Sequence, residues 1–439
     1  MSEASGRNLF IRMLGSAVGS QAVLSIASLA VGLLLIRRSD GQQYGAYVLV
    51  ANAFLLLTSL QNAFFGPTLV LRMTPLQPAA RGTLIDGIRR EQRRLLCLVF
   101  GPLAALVAAC AAGGLISGLT AALLLATTAA APAALSREYF RSASLAQQRA
   151  QDVVLADLLY AVLLVSGAAL ATLLPLPAAG AVIAQALAAV AGAAVLARLL
   201  WRRCPRGGEP AGGLLRQIAT LGAWSTAGAA IHWTFSQGYG YLVAATLNVS
   251  AVAAIAATRL LLMPVNLLST GVGSMMLPLV ARWLQQLGPQ PVLRRTLLLA
   301  LALAAAASCY LAAMWLLRDW IFAQVLKKQF AQRDLLLLLW SAISLLMVLR
   351  DQTIYLLVAR GRLRRLTLMT LCSALLSLAV SYCGMLRFGV PGALIGVLCG
   401  EASNVLGILV SSVLDAYREP SGIDPAAVPQ DQAGMAASG

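Results

Sequence analysis

Long apolar runs, separated by short polar or basic stretches, recur along almost the whole sequence. About 20 helical residues cross a hydrocarbon core of about 30 Å, so each run predicts one transmembrane helix. The pattern predicts twelve spans, at residues 14–36, 45–71, 95–113, 119–136, 153–174, 178–200, 218–245, 251–281, 296–317, 335–358, 366–386 and 390–414. The sequence therefore predicts an all-α integral membrane protein with both termini on one side.

A basic stretch rich in glycine and proline follows the sixth span, and such a stretch is typical of a linker. We predict an N-terminal lobe at residues 1–201, a linker on the cytoplasmic side at 202–217, a C-terminal lobe at 218–417 and a polar, disordered tail at 418–439. Because six spans return the chain to the same side, the two six-helix lobes should be related by a pseudo-twofold axis along the membrane normal, with a cleft between them.

The chain is 59% hydrophobic and 11% charged, and its formal net charge is +17. A basic protein can bind nucleic acid, but here the arginines lie in short loops between apolar runs. Most of them lie on the side that holds the N-terminus, and cytoplasmic loops carry the excess of positive residues. The charge therefore predicts cytoplasmic N- and C-termini and no nucleic-acid partner.

The segment between the ninth and tenth spans has an amphipathic pattern. In "DWIFAQVLKKQFAQRD", residues 319–334, helical spacing places Phe322, Val325, Leu326 and Phe330 on one face and the charges on the other. The pattern predicts an interfacial helix that lies flat on the outer surface.

Metal, cofactor and catalytic chemistry find little support in the sequence. The seven cysteines form no CxxC pair, and the single histidine, His232, has no second ligand beside it. A membrane enzyme such as a polysaccharide polymerase would be expected to show a sizeable outer loop with arginines or a catalytic histidine. The longest outer segment, residues 318–334, is short and amphipathic. We expect no metal, no cofactor and no enzymatic activity.

A few charged residues fall inside the predicted spans. A charge at mid-membrane costs about 2.5 to 3.5 kcal/mol on insertion scales, and such residues usually face a bundle interior or a water-filled cavity. They are Asp157, Arg259, Arg350, Asp351 and Glu401. These five residues are therefore candidates for the functional site.

Arg259 is the only formal charge between Arg216 and Arg282. On a continuous helix, Asn266 and Thr270 return to its face, which makes one hydrophilic stripe. Arg259 could form a buried ion pair with an acid such as Glu401 or Asp351, or it could line a cavity, which we favour.

Other spans carry polar stripes. Gln21 and Ser25 share a face of the first span, Asn52 and Asn62 a face of the second, and His232 lies on a stripe of the seventh. Such stripes can serve interhelical hydrogen bonding or line a cavity. We include these residues as candidates for the cavity wall.

A guanidinium fixed in a cavity suits a phosphate-bearing substrate, because its planar fork binds phosphate oxygens bidentately. Arg259 is the main candidate and Arg350 the lesser one. The side chain of Arg350 should point about 100° away from that of Asp351, so these neighbours are not expected simply to pair. Asp157, Asp351 and Glu401 are candidates for counter-ions or for carboxylates that couple transport to an ion.

Three stretches resemble one known family. "LLLIRRSDGQQYGAYVLVANAFLLLTSL" resembles its first helix pair, "VLKKQFAQRDLLLLLW" resembles the approach to its tenth helix, and "RFGVPGAL" resembles the turn into its last helix. The family is the polysaccharide transporter family, the O-antigen and exopolysaccharide flippases of the multidrug/oligosaccharidyl-lipid/polysaccharide (MOP) exporter superfamily.

The resemblance implies a MATE-like fold, alternating access, and transport of an undecaprenyl-pyrophosphate-linked oligosaccharide from the cytoplasmic to the periplasmic leaflet of the bacterial inner membrane. This step would serve lipopolysaccharide or exopolysaccharide synthesis. Membrane lipids would surround the protein, and a polysaccharide polymerase and chain-length machinery would be candidate partners. Related flippases carry arginines in the central cavity, which agrees with Arg259 as a residue type.

Two other transporter classes have to be weighed. A cation-coupled multidrug exporter of the same superfamily would share the fold, but it calls for acidic groups in the N-terminal lobe, where only Asp157 lies within a predicted span. A major-facilitator transporter would also have two sets of six helices. The loop at residues 72–94 lacks the G-x-x-x-D-R-x-G-R pattern of that class. The flippase therefore remains the preferred hypothesis, and the exporter is the alternative.

Overall fold

The computed structural model describes residues 3–73, 76–116, 118–204 and 213–418. Within these ranges the chain is almost entirely helical and contains no strand. The predicted tail beyond residue 418 and half of the predicted linker, residues 205–212, lie outside them. The all-helical class predicted from the apolar runs is therefore confirmed.

Fourteen α-helices follow one another within the described ranges. Their bounds are α1 (Glu3–Arg38), α2 (Gly41–Met73), α3 (Pro78–Ala112), α4 (Gly118–Ala146), α5 (Ala150–Ala171), α6 (Pro177–Arg203), α7 (Leu214–Thr246), α8 (Val249–Leu260), α9 (Met263–Leu287), α10 (Pro289–Leu316), α11 (Arg318–Trp320), α12 (Arg333–Ala359), α13 (Leu363–Phe388) and α14 (Val390–Arg418). A π-helical turn, Ile321–Leu326, continues α11.

Each predicted span lies on one of these helices, except the eighth, which α8 and α9 share. Within the described part of the chain, ten helices are long and apolar enough to cross a membrane, namely α1 to α6, α9, α10, α13 and α14. The long helices outside this group, α7 and α12, hold several polar residues of the candidate site. The chain is thus a multi-pass membrane protein with a helix count close to the predicted twelve.

The two halves of the chain pack their helices in the same pattern. In the first half, α1 packs on α5, α2 on α4, α3 on α4, α4 on α6 and α5 on α6. In the second half, α7 packs on α13, α8 and α9 on α12, α10 on α12, α12 on α14 and α13 on α14. The second pattern repeats the first when α8 and α9 count as one span, as a pseudo-twofold relation between two six-span lobes requires.

The eighth predicted span is not one continuous helix, and this part of the prediction was wrong. Pro264 lies at the start of α9 and has no N–H to donate to the carbonyl one turn earlier. The chain turns tightly there, with Leu262 N donating to Arg259 O at 3.0 Å. Val265 N donates to Leu262 O at 3.1 Å instead of to Leu261 O. The Tyr310 hydroxyl donates to the Leu261 carbonyl at 2.8 Å. The break follows directly after the turn that carries Arg259.

The fourth helix is longer than the sequence pattern indicated. The predicted span ends at residue 136, whereas α4 continues to Ala146. Arg137 and Glu138, expected in a loop, are therefore helical and buried. This extension places charged side chains inside the N-terminal lobe.

The segment before α12 is not an interfacial helix. Helical structure ends at Leu326, and Lys327 follows with a left-handed φ of 53°. Phe322 and Leu326 are fully buried in a core that includes Leu35 and Ile36 of α1. The apolar face predicted to contact lipid is inserted between the lobes instead.

Reciprocal hydrogen bonds join this segment to the end of α1. Arg37 Nη2 donates to Gln324 O at 3.2 Å, and Arg37 Nε donates to Val325 O. In the opposite direction, Lys328 Nζ donates to Ser39 O at 3.0 Å. We call these contacts the Arg37 latch. Since Arg37 and Ser39 belong to the N-terminal lobe and the other residues to the C-terminal lobe, the latch joins the lobes at one end of the bundle.

The helices α13 and α14 approach closely through small residues. The facing positions are Ser373, Ser377, Ser381 and Gly384 on α13, and Gly392, Gly396 and Gly400 on α14. A methyl group on Gly396 would lie 2.2 Å from the backbone nitrogen of Ser381. Small residues at such a seam let two membrane helices pack backbone against backbone.

We expect Gly396→Ala to lower the melting temperature of the purified protein by several degrees, because overpacking a tight interface costs about 1–3 kcal/mol. Gly101→Ala is the matched control, since nothing lies within 4 Å of the added methyl group there. Thermal unfolding in detergent measures both variants. Equal melting of Gly396→Ala and the wild type would contradict the packing described for α13 and α14.

Candidate functional site

A cavity of about 490 Å³ lies between the lobes. Helices α1, α2, α4, α5 and α6 of the N-terminal lobe line it together with α7, α8 and α9 of the C-terminal lobe. This volume falls within the range of about 300–1,000 Å³ that is usual for small-molecule sites. Both lobes contribute to the wall, so a ligand in the cavity would contact both.

The wall of the cavity combines charged, amide and phenolic side chains. The charged residues are Arg137, Glu138 and Arg259; the amides are Asn52, Gln185, Gln237 and Asn266; the tyrosines are Tyr44, Tyr47, Tyr160 and Tyr239. Amides donate and accept hydrogen bonds, and tyrosine adds an aromatic face to a hydroxyl. Many apolar residues also line it, among them Leu24, Phe54 and Ile255, so the cavity suits a ligand that combines hydrogen-bonding groups with apolar surface.

Arg259 lines this cavity from the last turn of α8. Its Nη1 donates to Gln237 Oε1 at 2.7 Å and to the Tyr239 hydroxyl at 3.1 Å. Its Cζ lies 5.3 Å from the centre of the Trp340 ring, within cation–π distance. Arg259 interacts electrostatically with Glu401. No carboxylate among the described residues reaches ion-pair distance of Arg259, whose charge is held by neutral groups.

Two other predicted wall residues contact the cavity and one does not. Asn266 and Asn52 both line it. Thr270 is exposed, and its hydroxyl donates to Asn266 O at 2.7 Å on the same helix. Arg259 and Asn266 thus share the cavity although the helix breaks between them.

The remaining stripe residues do not belong to the wall. Gln21 is exposed and Ser25 is half-buried on α1, outside the lining. Asn62 donates to Glu138 Oε1 at 2.8 Å inside the N-terminal lobe. His232 is exposed on α7, within electrostatic reach of Arg350. Of the polar stripe residues named from the sequence beside Arg259, Asn52 and Asn266 therefore lie in the cavity wall.

The N-terminal lobe contains a buried charge cluster that the sequence analysis missed. Asp157 is fully buried and accepts hydrogen bonds from Ser20, from Arg137 and, at 3.2 Å, from Arg141 Nε. Arg141 Nη1 also pairs with Glu138 Oε1 at 3.1 Å. The i, i+4 spacing of Arg137 and Arg141 continues a helical face beyond the apolar run, and this spacing was the available signal.

The C-terminal lobe contains a second cluster. Arg350 Nη1 contacts the Glu401 carboxylate at 2.6 and 2.8 Å, and Arg350 Nε and Nη2 contact Asp351 Oδ1 at 3.1 and 2.9 Å. Ser269 donates to Asp351 Oδ2 at 3.0 Å. The prediction that Arg350 and Asp351 do not pair was wrong, because the long Arg350 side chain turns back to its neighbour. Arg350 also lies outside the cavity lining.

The two clusters occupy equivalent places in the two lobes. Arg137 and Arg350 each lie nine residues before the last residue of the fourth span of their lobe, and each precedes an acid. Each pairs with a carboxylate from another helix, Asp157 or Glu401. Arg137 lines the cavity, whereas Arg350 is enclosed. The two arginines therefore occupy equivalent positions in the lobes, but of the two only Arg137 lines the cavity.

The comparisons with known proteins concern the fold. No family model matches the sequence, and no curated protein sequence matches it. Among solved structures, an inward-facing multidrug resistance MATE family transporter of the MOP superfamily has a TM-score of 0.70 at 13% identity, covering 92% of this chain and 98% of the other.

Two further solved structures share the architecture. Lipid II flippase MurJ, in an inward closed conformation, has a TM-score of 0.67 at 12% identity and covers 89% of this chain and 86% of its own. A MOP superfamily transporter from Pyrococcus furiosus, described as having a binding pocket of reverse polarity, has a TM-score of 0.63 at 13% identity, covering 93% and 95%. These neighbours are transporters and a flippase. The chain therefore has the MATE-like fold of MOP superfamily transporters, as predicted.

We expect Glu401→Gln to lower the melting temperature markedly. Removing one member of a buried ion pair costs about 3–5 kcal/mol, and Arg350 would retain only Asp351, which is partly exposed. The double variant Arg350→Met with Glu401→Met removes both charges and should recover part of the loss.

Asp415→Asn serves as the control: Asp415 is buried, but its partner Arg365 has 45% of its side chain exposed, so this half-exposed pair should contribute less than the enclosed pair of Arg350 and Glu401. If Glu401→Gln melts no lower than Asp415→Asn, the assignment of a stabilising ion pair to Arg350 and Glu401 is wrong.

Proposed function

We propose that this protein is a flippase for a lipid-linked oligosaccharide with an anionic phosphate headgroup. The observation that supports this proposal is the Arg259 guanidinium in the cavity between the lobes, held by neutral side chains instead of a carboxylate. A cation in a low-dielectric site without a paired acid attracts an anion strongly. The natural occupant of such a site carries phosphate or carboxylate.

The geometry of Arg259 leaves donors for this anion. Gln237 and Tyr239 both accept from Nη1, so Nε and Nη2 have no hydrogen-bond acceptor among the described residues. These two nitrogens form one edge of the guanidinium plane, and such an edge binds two phosphate oxygens together. The contacts to Nη1 fix the orientation of the fork before the substrate arrives.

The rest of the wall suits a glycan. Asn52, Gln185 and Asn266 offer amide donors and acceptors, and the tyrosines offer hydroxyls and aromatic faces. A sugar presents many hydroxyls at its edges and C–H groups at its faces, so both kinds of side chain find partners. The lipid tail would remain in the bilayer while the headgroup and sugars occupy the cavity.

The transport step follows from the two-lobe fold. Alternate opening of the cavity to the two sides of the membrane would carry the headgroup across, from the cytoplasmic to the periplasmic leaflet of the bacterial inner membrane. The carrier would be undecaprenyl pyrophosphate and the product a precursor of lipopolysaccharide or exopolysaccharide. A polymerase and chain-length machinery would then use the translocated repeat unit. Asp157 and Glu401 would serve as counter-ions, and Asp351 as the more exposed coupling carboxylate.

A multidrug exporter is the second candidate, and one observation favours it. Glu138 lines the cavity and could attract a cation. However, Arg141 Nη1 and Asn62 already donate to Glu138 Oε1, at 3.1 and 2.8 Å. A cation would have to compete with these partners, whereas an anion finds Arg259 without an ion-paired acid. One fold neighbour is a lipid II flippase, which supports a lipid-linked substrate.

We expect Arg259→Gln to reduce transport of undecaprenyl-pyrophosphate-linked oligosaccharide about tenfold or more, because the charge that holds the headgroup is lost. Arg259→Glu should abolish transport, and Arg259→Lys should retain part of it, since a lysine keeps the charge but not the planar fork. Reconstituted proteoliposomes with a fluorescent oligosaccharide and an external quencher measure the movement.

Thr270→Ala is the matched control, because Thr270 lies on α9 but outside the cavity lining. It should transport like the wild type. Normal transport by Arg259→Glu, at a protein level equal to the wild type, would overturn the proposed function.

A further inference from the structure

We propose that Arg137 is a second contact for the anionic headgroup, contributed by the N-terminal lobe, so that one phosphate-bearing group binds both lobes at once. This inference rests on the proposed function and adds a residue to the same site. The sequence analysis assigned Arg137 to a loop, and its position in the cavity wall is visible only in the structure.

Arg137 lines the cavity although 93% of its surface is buried, since its relative exposure is 7%. Its guanidinium therefore lies at the wall in a largely water-excluded setting. A charge–charge contact in such a setting is stronger than at the protein surface. The opposite lobe contributes Arg259 to the same cavity.

Part of the donor capacity of Arg137 is unused. Nη2 donates to Asp157 Oδ1, but Nε is buried without a hydrogen-bond partner, and Nη1 is 4.0 Å from Glu138 Oε2. Leaving a buried donor without an acceptor destabilises the protein, and more so when the group is charged. An anion at Arg137 could accept from these donors and remove that destabilisation.

Asp157 does not depend on Arg137 alone. Ser20 Oγ and Arg141 Nε both donate to Asp157 Oδ2. If Arg137 turned part of its fork toward a phosphate, Asp157 would still have a charged partner and a hydroxyl donor. Asp157 would therefore keep Arg141 as a charged partner when Arg137 contacts a phosphate.

Two neighbours position the Arg137 side chain. Its Cζ lies 3.8 Å from the centre of the Tyr160 ring, a stacked cation–π contact. On the α6 side, Gly192 leaves room: a methyl group there would lie 3.2 Å from Arg137 Cδ and 3.3 Å from Nε. The Tyr160 ring orients the guanidinium plane, and Gly192 leaves the space that the side chain needs to lie against α6. A defined plane matters for a bidentate contact.

The equivalent residue of the other lobe lacks these properties. Arg350 uses Nε, Nη1 and Nη2 in contacts with Glu401 and Asp351. It also lies outside the cavity lining. Of the two equivalent arginines, Arg137 is therefore the one placed to bind a ligand. In the C-terminal lobe Arg350 is enclosed, and Arg259 supplies the positive charge to the cavity.

The consequence concerns coupling between the lobes. A headgroup that contacts Arg137 and Arg259 together would attract both lobes. Its negative charge would also offset the repulsion between the two guanidinium groups. Binding would therefore favour the arrangement of the lobes in which both arginines contact the substrate, because the substrate makes more contacts there than in an arrangement that exposes only one arginine.

The test measures the affinity of the full-length protein in detergent for geranylgeranyl pyrophosphate, by isothermal titration calorimetry. We expect Arg137→Gln and Arg259→Gln each to weaken binding about tenfold, equal to about 1.4 kcal/mol. Arg203→Gln is the matched control, because Arg203 lies in the same lobe, pairs with Asp152 outside the cluster and is not a lining residue. Its affinity should stay within about twofold of the wild type.

A double variant tests whether one headgroup bridges both residues. If it does, the loss in Arg137→Gln with Arg259→Gln should differ from the sum of the single losses. Gly192→Ala gives a second route that keeps the charge: the added methyl group should displace Arg137 and weaken binding severalfold. Should Arg137→Gln not fold, Gly192→Ala and Arg137→Lys take its place.

The outcomes separate the two proposals. If the wild type does not bind the pyrophosphate, or Arg259→Gln binds it as well as the wild type, the proposed function fails. If Arg259→Gln weakens binding while Arg137→Gln and Gly192→Ala do not, only the role of Arg137 is overturned. Equal weakening by Arg137→Gln and Arg203→Gln would assign the effect to the loss of a positive charge from the lobe, and would also overturn the role of Arg137.

Discussion

An arginine at membrane depth must be neutralised by an acid or surrounded by polar groups, and this requirement organises the interior of the protein. Arg350 is fully committed to Glu401 and Asp351, and Arg137 is partly committed to Asp157. Among the described residues, Arg259 contacts Gln237, Tyr239 and the Trp340 ring, and it interacts electrostatically with Glu401 without forming an ion pair. The degree of neutralisation thus decreases from the enclosed cluster to the cavity wall, and the least neutralised charge lies where both lobes meet.

The repeat of six spans explains why this arrangement exists. Both lobes place an arginine and an acid at the same position of their fourth span. The lobes then differ in what they add: the eighth span carries Arg259 in the cavity wall, and a glycine on α6 leaves room for Arg137. A binding site for one asymmetric molecule requires such departures, because two identical half-sites would present the same chemistry to both of its ends.

The sequence predicted the spans and the lining position of Arg259 because apolar length and an isolated charge are local properties. It could not predict the break after Leu260, where Pro264 and the distant Tyr310 hydroxyl act together. It also missed the cluster around Asp157, since helix α4 continues beyond its apolar run into residues whose burial depends on Ser20 and Arg141. The pairing of Arg350 with Asp351 depends on side-chain rotamers, which helical spacing does not determine.

The Arg37 latch has main-chain carbonyl groups as all of its acceptors, on Gln324, Val325 and Ser39. A carbonyl does not titrate, and every residue type supplies one, so acidification and most substitutions at the accepting positions leave these bonds chemically intact. The contacts of the Arg37 latch should therefore not depend on pH, even if carboxylates deeper in the lobes exchange protons. Only displacement of the two segments, or replacement of Arg37 and Lys328, would break these contacts.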